Sequence, residues 1–140
     1  MRHRNSGASG FTLIELMLVV VIIGALVAMV MPRLAGRSEQ AKVGAAQADI
    51  TANIATGLKM YELDNGHFPS SDEGGLAALI TKPGSASNWN GPYIEKKPVD
   101  PWGKEYQYKS PGTHRTYDYD LSSMGRDGQD GTADDVKNWE

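Results

Sequence analysis

Two sets of acidic residues in this 140-residue chain stand where they could do chemistry. The first is a single carboxylate, Glu15, set inside the otherwise apolar run "GFTLIELMLVV". A lone charge in such surroundings is costly, so Glu15 calls for a cationic partner. The second is a crowd: Asp118, Asp120, Asp127, Asp130, Asp134 and Asp135 fall within eighteen residues, opposed only by Arg126. In "SSMGRDGQDGTADDVKNW", Gly125, Gly128 and Gly131 let the backbone turn tightly and present its carbonyls. Hard oxygen donors on a flexible loop suit Ca²⁺, whereas Mg²⁺ wants a stricter octahedron. The spacing is not that of an EF-hand, because Gln129 and Gly131 occupy alternate positions after Asp127 and no terminal Glu follows. Composition alone also fits a solvated acidic loop.

Other chemistries find little support. The chain has no cysteine, which removes disulfides, thiolate metal sites and a thiol nucleophile. His67 and His114 are far apart in sequence, and no serine lies in a nucleophile motif. No glycine-rich loop has a Walker or dinucleotide spacing. The chain therefore reads as non-enzymatic, with His67, beside Phe68-Pro69, as a turn residue. Residues 1–37 carry Arg2, Arg4, Arg33 and Arg37 against Glu15 alone, a net of +3, while the remainder nets −6. An acidic remainder without clustered Lys and Arg argues against a nucleic-acid partner.

The elements that must position these residues begin with a membrane segment. "LMLVVVIIGALVAMVM" is uncharged, and Phe11 to Met31 as a helix would rise roughly 31 Å, enough to cross a hydrocarbon core. Arg2, His3 and Arg4 precede it, which by the positive-inside tendency leaves the leader in the cytoplasm and exports the rest. Val43, Ala46, Ile50, Ile54, Leu58 and Tyr61 then recur three or four apart, the pattern of an amphipathic helix. The two helices are expected to join into one of about 50 residues, ending near Asp64-Asn65-Gly66. Gly24 and Pro32 interrupt the apolar part: the stretch between them loosens, or Pro32 simply marks the membrane exit.

Ser70 and Glu73 form a capping-box pattern ahead of "GGLAALI", so a short helix is expected around residues 71–81. "GPYI" and "DPWG" read as turns. "EYQYK" and "TYDYDLSS", separated by "SPGTHR", predict a β-hairpin. The tryptophans of "DPWG" and "NWE" read as turn packing and loop anchoring rather than sugar binding.

The leader junction carries a resemblance. An ordinary secretory signal places its small-residue cleavage site after the apolar stretch, whereas here "SGASG" comes before it. The arrangement G-F-T-L-I-E followed by a long apolar helix resembles the class III leader of type IV pilins and type II secretion pseudopilins. Ser123-Met124-Gly125-Arg126-Asp127-Gly128, Asp134-Asp135 and Trp139, with "YELDNGHFP", "GPYI", "DPWG" and "YQY", resemble the major pseudopilins of type II secretion across essentially the whole chain.

The resemblance implies an α+β, type IV pilin-like fold: a long N-terminal α-helix, half transmembrane and half amphipathic, packed on a small antiparallel β-sheet head with a C-terminal calcium loop. It implies a leader over residues 1–10, a transmembrane helix over 11–32 and a periplasmic head over 33–140. A prepilin peptidase would cut after Gly10 and the new terminus at Phe11 would be N-methylated. That cut creates a largely cationic α-amine four residues from Glu15. In the family, the carboxylate is thought to meet the N-terminus of a neighbouring subunit and set the stagger of a filament. The alternative is that Glu15 only complements the dipole of the first helical turn. For the loop, the resemblance implies Ca²⁺ held by Asp127, Asp134 and Asp135 with carbonyls such as that of Met124, and gives Asp130 weaker support.

The expected function is that of the major structural subunit of a pseudopilus. It would be anchored singly in the bacterial inner membrane and polymerise in the periplasm to drive folded proteins across the outer membrane. The implied partners are further copies in a helical filament, minor pseudopilins, the prepilin peptidase and an inner-membrane platform protein. Two other readings stay open: a type IV pilin of a surface fibre, and a membrane-anchored calcium-binding module. A product beginning at methylated Phe11 would exclude the module. Loss of exoprotein secretion on deletion would separate pseudopilin from pilin.

Overall fold

The structure, a computed structural model, describes residues 10–140, apart from the side chains of residues 33–35. The leader expected over residues 1–10 lies outside the described residues except for Gly10. One helical run extends over Leu13–Asn65, 53 residues, in three parts. Helix α1 spans Leu13–Ala48, a π-helical segment spans Asp49–Asn53, and helix α2 spans Ile54–Asn65. The chain divides into two units, residues 1–39 and 40–140.

The first unit is the apolar part of α1. From Leu13 onward it is helical in the single chain, Gly24 and Pro32 included. Among the described residues its large hydrophobic side chains are exposed, including Leu13, Ile14, Leu18, Val21 and Ile23. No part of its most hydrophobic window is buried within the chain. A core helix of a water-soluble domain would bury such a surface; a lipid-facing one has no need to.

The second unit holds the core. Ala46, Ile50, Ile54, Leu58 and Tyr61 face inward along the helical run, against Ala78, Leu79, Tyr106, Tyr119, Leu121 and Val136. Val43 extends the same stripe in sequence but is 40% exposed, so the core begins one turn later than expected. Gly57 permits close packing: a Cβ there would meet Ile94 Cγ2 at 2.7 Å. Helix α2 stops where the turn signal predicts. Gly66 adopts a left-handed conformation (φ 82°) and its N–H donates to the Glu62 carbonyl at 2.7 Å.

The capping box at Ser70 and Glu73 is present, but the segment after it is not one α-helix. Two 3₁₀ turns occupy Ser71–Glu73 and Gly75–Leu79. Gly74 and Gly75 between them both have positive φ, 94° and 56°, which no continuous α-helix accommodates.

The sheet has three antiparallel strands in the order β1 (Gln107–Lys109), β2 (Asp120–Ser123) and β3 (Val136–Lys137). Strands β1 and β2 are the expected hairpin, in register Tyr108 to Leu121. Strand β3 pairs Val136 with Ser123 on the other side. Beyond it Asn138 continues the ladder: its side-chain oxygen accepts from Leu121 N, and its amide donates to the Tyr119 carbonyl. Strand β2 thus lies at the centre, with Asp120 at one end and Ser123 at the other.

Candidate functional sites

At the start of α1, Thr12 and Glu15 cap the helix reciprocally. Glu15 Oε2 accepts from Thr12 N at 2.8 Å and from Thr12 Oγ1 at 3.0 Å, while Glu15 N donates to Thr12 Oγ1 at 3.2 Å. This is a capping box. It arises because Thr at the helix entrance and Glu three residues on can each satisfy a backbone N–H that the first turn leaves unpaired. The carboxylate is thereby held at Thr12, one residue after Phe11, which is 86% exposed.

The C-terminal loop connects β2 to β3. Gly125, Gly128 and Gly131 all have positive φ (60°, 66° and 86°), so the glycines serve the tight turning expected of them. Met124 O accepts from Gly128 N at 3.1 Å, closing the first turn. The acids split into two groups. Asp118 pairs with Arg115 at 2.6 Å, and Asp120 collects the "SPGTHR" connection. Asp120 Oδ2 accepts from Thr113 N and His114 N, and its Oδ1 from Arg115 N. Burial would raise the Asp120 carboxyl, but the backbone N–H groups of His114, Arg115 and Thr113, with the His114 ring, hold it below the usual range. Neither of these acids belongs to the candidate cation loop.

Asp127, Asp134 and Asp135 do come together, around Thr132. The Thr132 hydroxyl lies 2.7 Å from Asp134 Oδ1, 3.1 Å from the Gln129 carbonyl, 3.3 Å from Asp127 Oδ1 and 3.4 Å from Asp135 Oδ1. A hydroxyl has one proton to donate, so three carboxylates and a carbonyl compete for it. Each carboxylate also takes one loop N–H: Gln129 to Asp127 Oδ1, Asp127 to Asp134 Oδ2, and Gly131 to Asp135 Oδ2. The Asp127 N–H and the Thr132 hydroxyl hold the Asp134 carboxyl below its usual range. Among the described residues, no three Asp, Glu or His side chains are arranged to hold a metal by themselves. Further hard oxygen donors would have to come from the backbone: the Gln129 carbonyl lies beside Thr132, whereas the Met124 carbonyl accepts from Gly128 N–H. Sequence reasoning missed Thr132, although its place between Asp127 and Asp134 was visible.

Two further acids carry structural work unseen in the sequence. Asp100, in the "DPWG" turn, is 3% exposed and hydrogen-bonded on both oxygens. Asp49 lies in the π-helical segment, where its Oδ2 accepts from the buried Tyr106 hydroxyl at 2.8 Å. Trp139 stacks on His114 with ring centres 4.3 Å apart, the anchoring role expected of it. His67 packs edge-on against Tyr61 and binds the Phe68 carbonyl, as a turn residue would.

A long helix with an unburied apolar half and a three-stranded antiparallel head defines the pilin-like class. The family profile described as type II secretion system (T2SS), protein G, matches residues 33–139, and a prokaryotic N-terminal methylation motif matches residues 5–31. The chain belongs to the protein G family of the type II secretion system. It is 50% identical over 139 residues to the type II secretion system core protein G of Pseudomonas aeruginosa, covering 94% of this chain and 95% of that protein. To the protein of the same name from Escherichia coli K12 it is 46% identical, covering 93% and 90%. Its fold is similar to the crystal structure of the major pseudopilin from the type 2 secretion system of enterohaemorrhagic Escherichia coli. That match has a TM-score of 0.65 and 36% identity, over 76% of this chain and 89% of that one. The family is structural rather than enzymatic.

Proposed function

We infer that this chain is the major subunit of a type II secretion pseudopilus, polymerised from copies of itself. The observation that carries the reading is the apolar half of α1. It is long enough to span a membrane and unburied within the chain, and its first turn carries a carboxylate that caps Thr12 N–H. Cleavage after Gly10 by a prepilin peptidase frees an amine at Phe11, which is then methylated. The amine of one copy pairs with Glu15 of the next, because each charge is costly alone among apolar helices. The basic leader stays in the cytoplasm, α1 anchors the subunit in the inner membrane and the head lies in the periplasm. Minor pseudopilins and an inner-membrane platform protein complete the assembly, and adding subunits pushes folded proteins across the outer membrane. Residues 11–32 serve as the membrane segment and 33–140 as the exported part.

The loop between β2 and β3 binds Ca²⁺ through Asp127, Asp134 and Asp135 and the Met124 carbonyl. Support comes from the surplus of acceptors around Thr132. Calcium supplies charge that the single hydroxyl proton cannot.

Deletion of the gene tests the central reading: exoprotein secretion should stop and return with the wild-type chain. Mass spectrometry of the membrane-bound product should show a start at methylated Phe11. Secretion unaffected by deletion would contradict the assignment.

A further inference from the structure

We propose that Asp100 is a positioning residue for the cation loop, acting from the "DPWG" turn through Ser123 and Lys104 onto both limbs of that loop. The inference rests on the calcium reading of the loop and goes beyond it, since Asp100 lies outside the loop and offers no atom to the ion.

Asp100 and Ser123 are both buried, at 3% and 0% exposure. Asp100 Oδ2 accepts from Ser123 Oγ at 2.6 Å, and the same Oγ accepts from Gly125 N at 3.2 Å. The Ser123 hydroxyl is thus oriented: its proton goes to the carboxylate, so its lone pair faces Gly125. Gly125 is pressed against a proposed ligand. A Cβ on Gly125 would lie 2.7 Å from Asp134 Oδ2, so where Gly125 sits determines where Asp134 can sit. The other carboxylate oxygen works on the second limb. Asp100 Oδ1 accepts from Lys104 N at 2.8 Å and Trp102 N at 3.1 Å, while Asp100 N donates to Lys104 O at 2.7 Å. These bonds fix the base of Lys104, whose Nζ donates to the Gly128 carbonyl at 3.4 Å. One buried carboxylate therefore orients the hydroxyl at the start of the loop and fixes the backbone of the lysine whose side chain reaches its tip. Removing a partner bonded directly to a metal ligand weakens metal binding by roughly 10- to 100-fold, and for Asp100, one bond further out, the low end of that range applies.

The test is calorimetric titration of Ca²⁺ into the full chain in detergent micelles, at a temperature where circular dichroism shows each variant folded. Asp100→Asn presents an NH₂ either to Ser123 or to the two backbone donors, and should raise the Kd for Ca²⁺ at least about tenfold. Ser123→Ala removes only the relaying hydroxyl and should raise it in the same direction; it decides the matter if Asp100→Asn does not fold. Asp120→Asn, at another buried carboxylate on the other end of β2, should leave the Kd within about twofold. Wild-type affinity in Asp100→Asn and Ser123→Ala, or an equal loss in Asp120→Asn, overturns the positioning role and leaves the calcium reading intact. A wild-type chain that binds no Ca²⁺ overturns both.

Discussion

Glu15 reaches back to Thr12: its Oε2 sits 2.8 Å from the Thr12 backbone N–H and 3.0 Å from the Thr12 hydroxyl. The contact caps the helix and holds the carboxylate one residue from where the proposed mature chain begins. Capping and pairing can be separated, because glutamine can accept the same N–H without a charge. Glu15→Gln should insert and be processed yet fail to form filaments, as should Glu15→Ala. Normal filaments from Glu15→Gln, seen by electron microscopy of sheared material, would leave Glu15 with a capping role alone.

The cation loop predicts a melting shift. In detergent micelles, chelation should lower the Tm of the full chain and added Ca²⁺ should restore it. At a free concentration a hundredfold above Kd the linkage is about 2.7 kcal/mol, which for a head of this size is on the order of 10 °C. Asp134→Ala should abolish the calcium-dependent part. A melting curve indifferent to chelator would count against the site.

Asp120 predicts a pH dependence of known sign. Its carboxyl is lower in the folded chain than its ordinary value, so its stabilisation is complete above the unfolded pKa and fades as pH falls through the folded one. Asp120→Asn should cost on the order of 2 kcal/mol at pH 7, from lost charge-assisted hydrogen bonds. The gap between wild type and variant should begin to narrow near about pH 4 and go on closing as pH falls through the lower folded value. Denaturant unfolding at pH 7, 4 and 3 measures it; a constant gap would refute the role.

Gly57 predicts a packing limit. A Cβ at this position would meet Ile94 Cγ2 at 2.7 Å and Leu79 Cδ1 at 3.5 Å. Gly57→Val overfills that space and should lower stability by about 1–3 kcal/mol, read as a lower denaturant midpoint with an unchanged slope.

The parts of the fold legible from sequence were those with a period or a punctuation mark. Ala46, Ile50, Ile54, Leu58 and Tyr61 recur at helical spacing and all are buried, and Gly66 ends the helix as its position announces. Val43 has the same spacing but no burial, because periodicity marks a face and not how far the partner surface extends. The π-helical segment had no local signal; its Asp49 is tied to Tyr106, 57 residues away. Strand β3 is two residues long, too short for any alternation to register. The acids near the C-terminus could be counted but not sorted. Asp118 and Asp120 serve the "SPGTHR" connection, Asp127, Asp134 and Asp135 meet at Thr132, and what separates them is tertiary.

A cryo-electron microscopy map of filaments assembled from the full chain bears most directly on the pairing of Phe11 with Glu15. Pairing requires subunits that start at Phe11, with that terminal nitrogen within about 4 Å of Glu15 on an adjacent subunit. Subunits that retain residues 1–10, or a Phe11 amine that contacts no neighbour's Glu15, would contradict it.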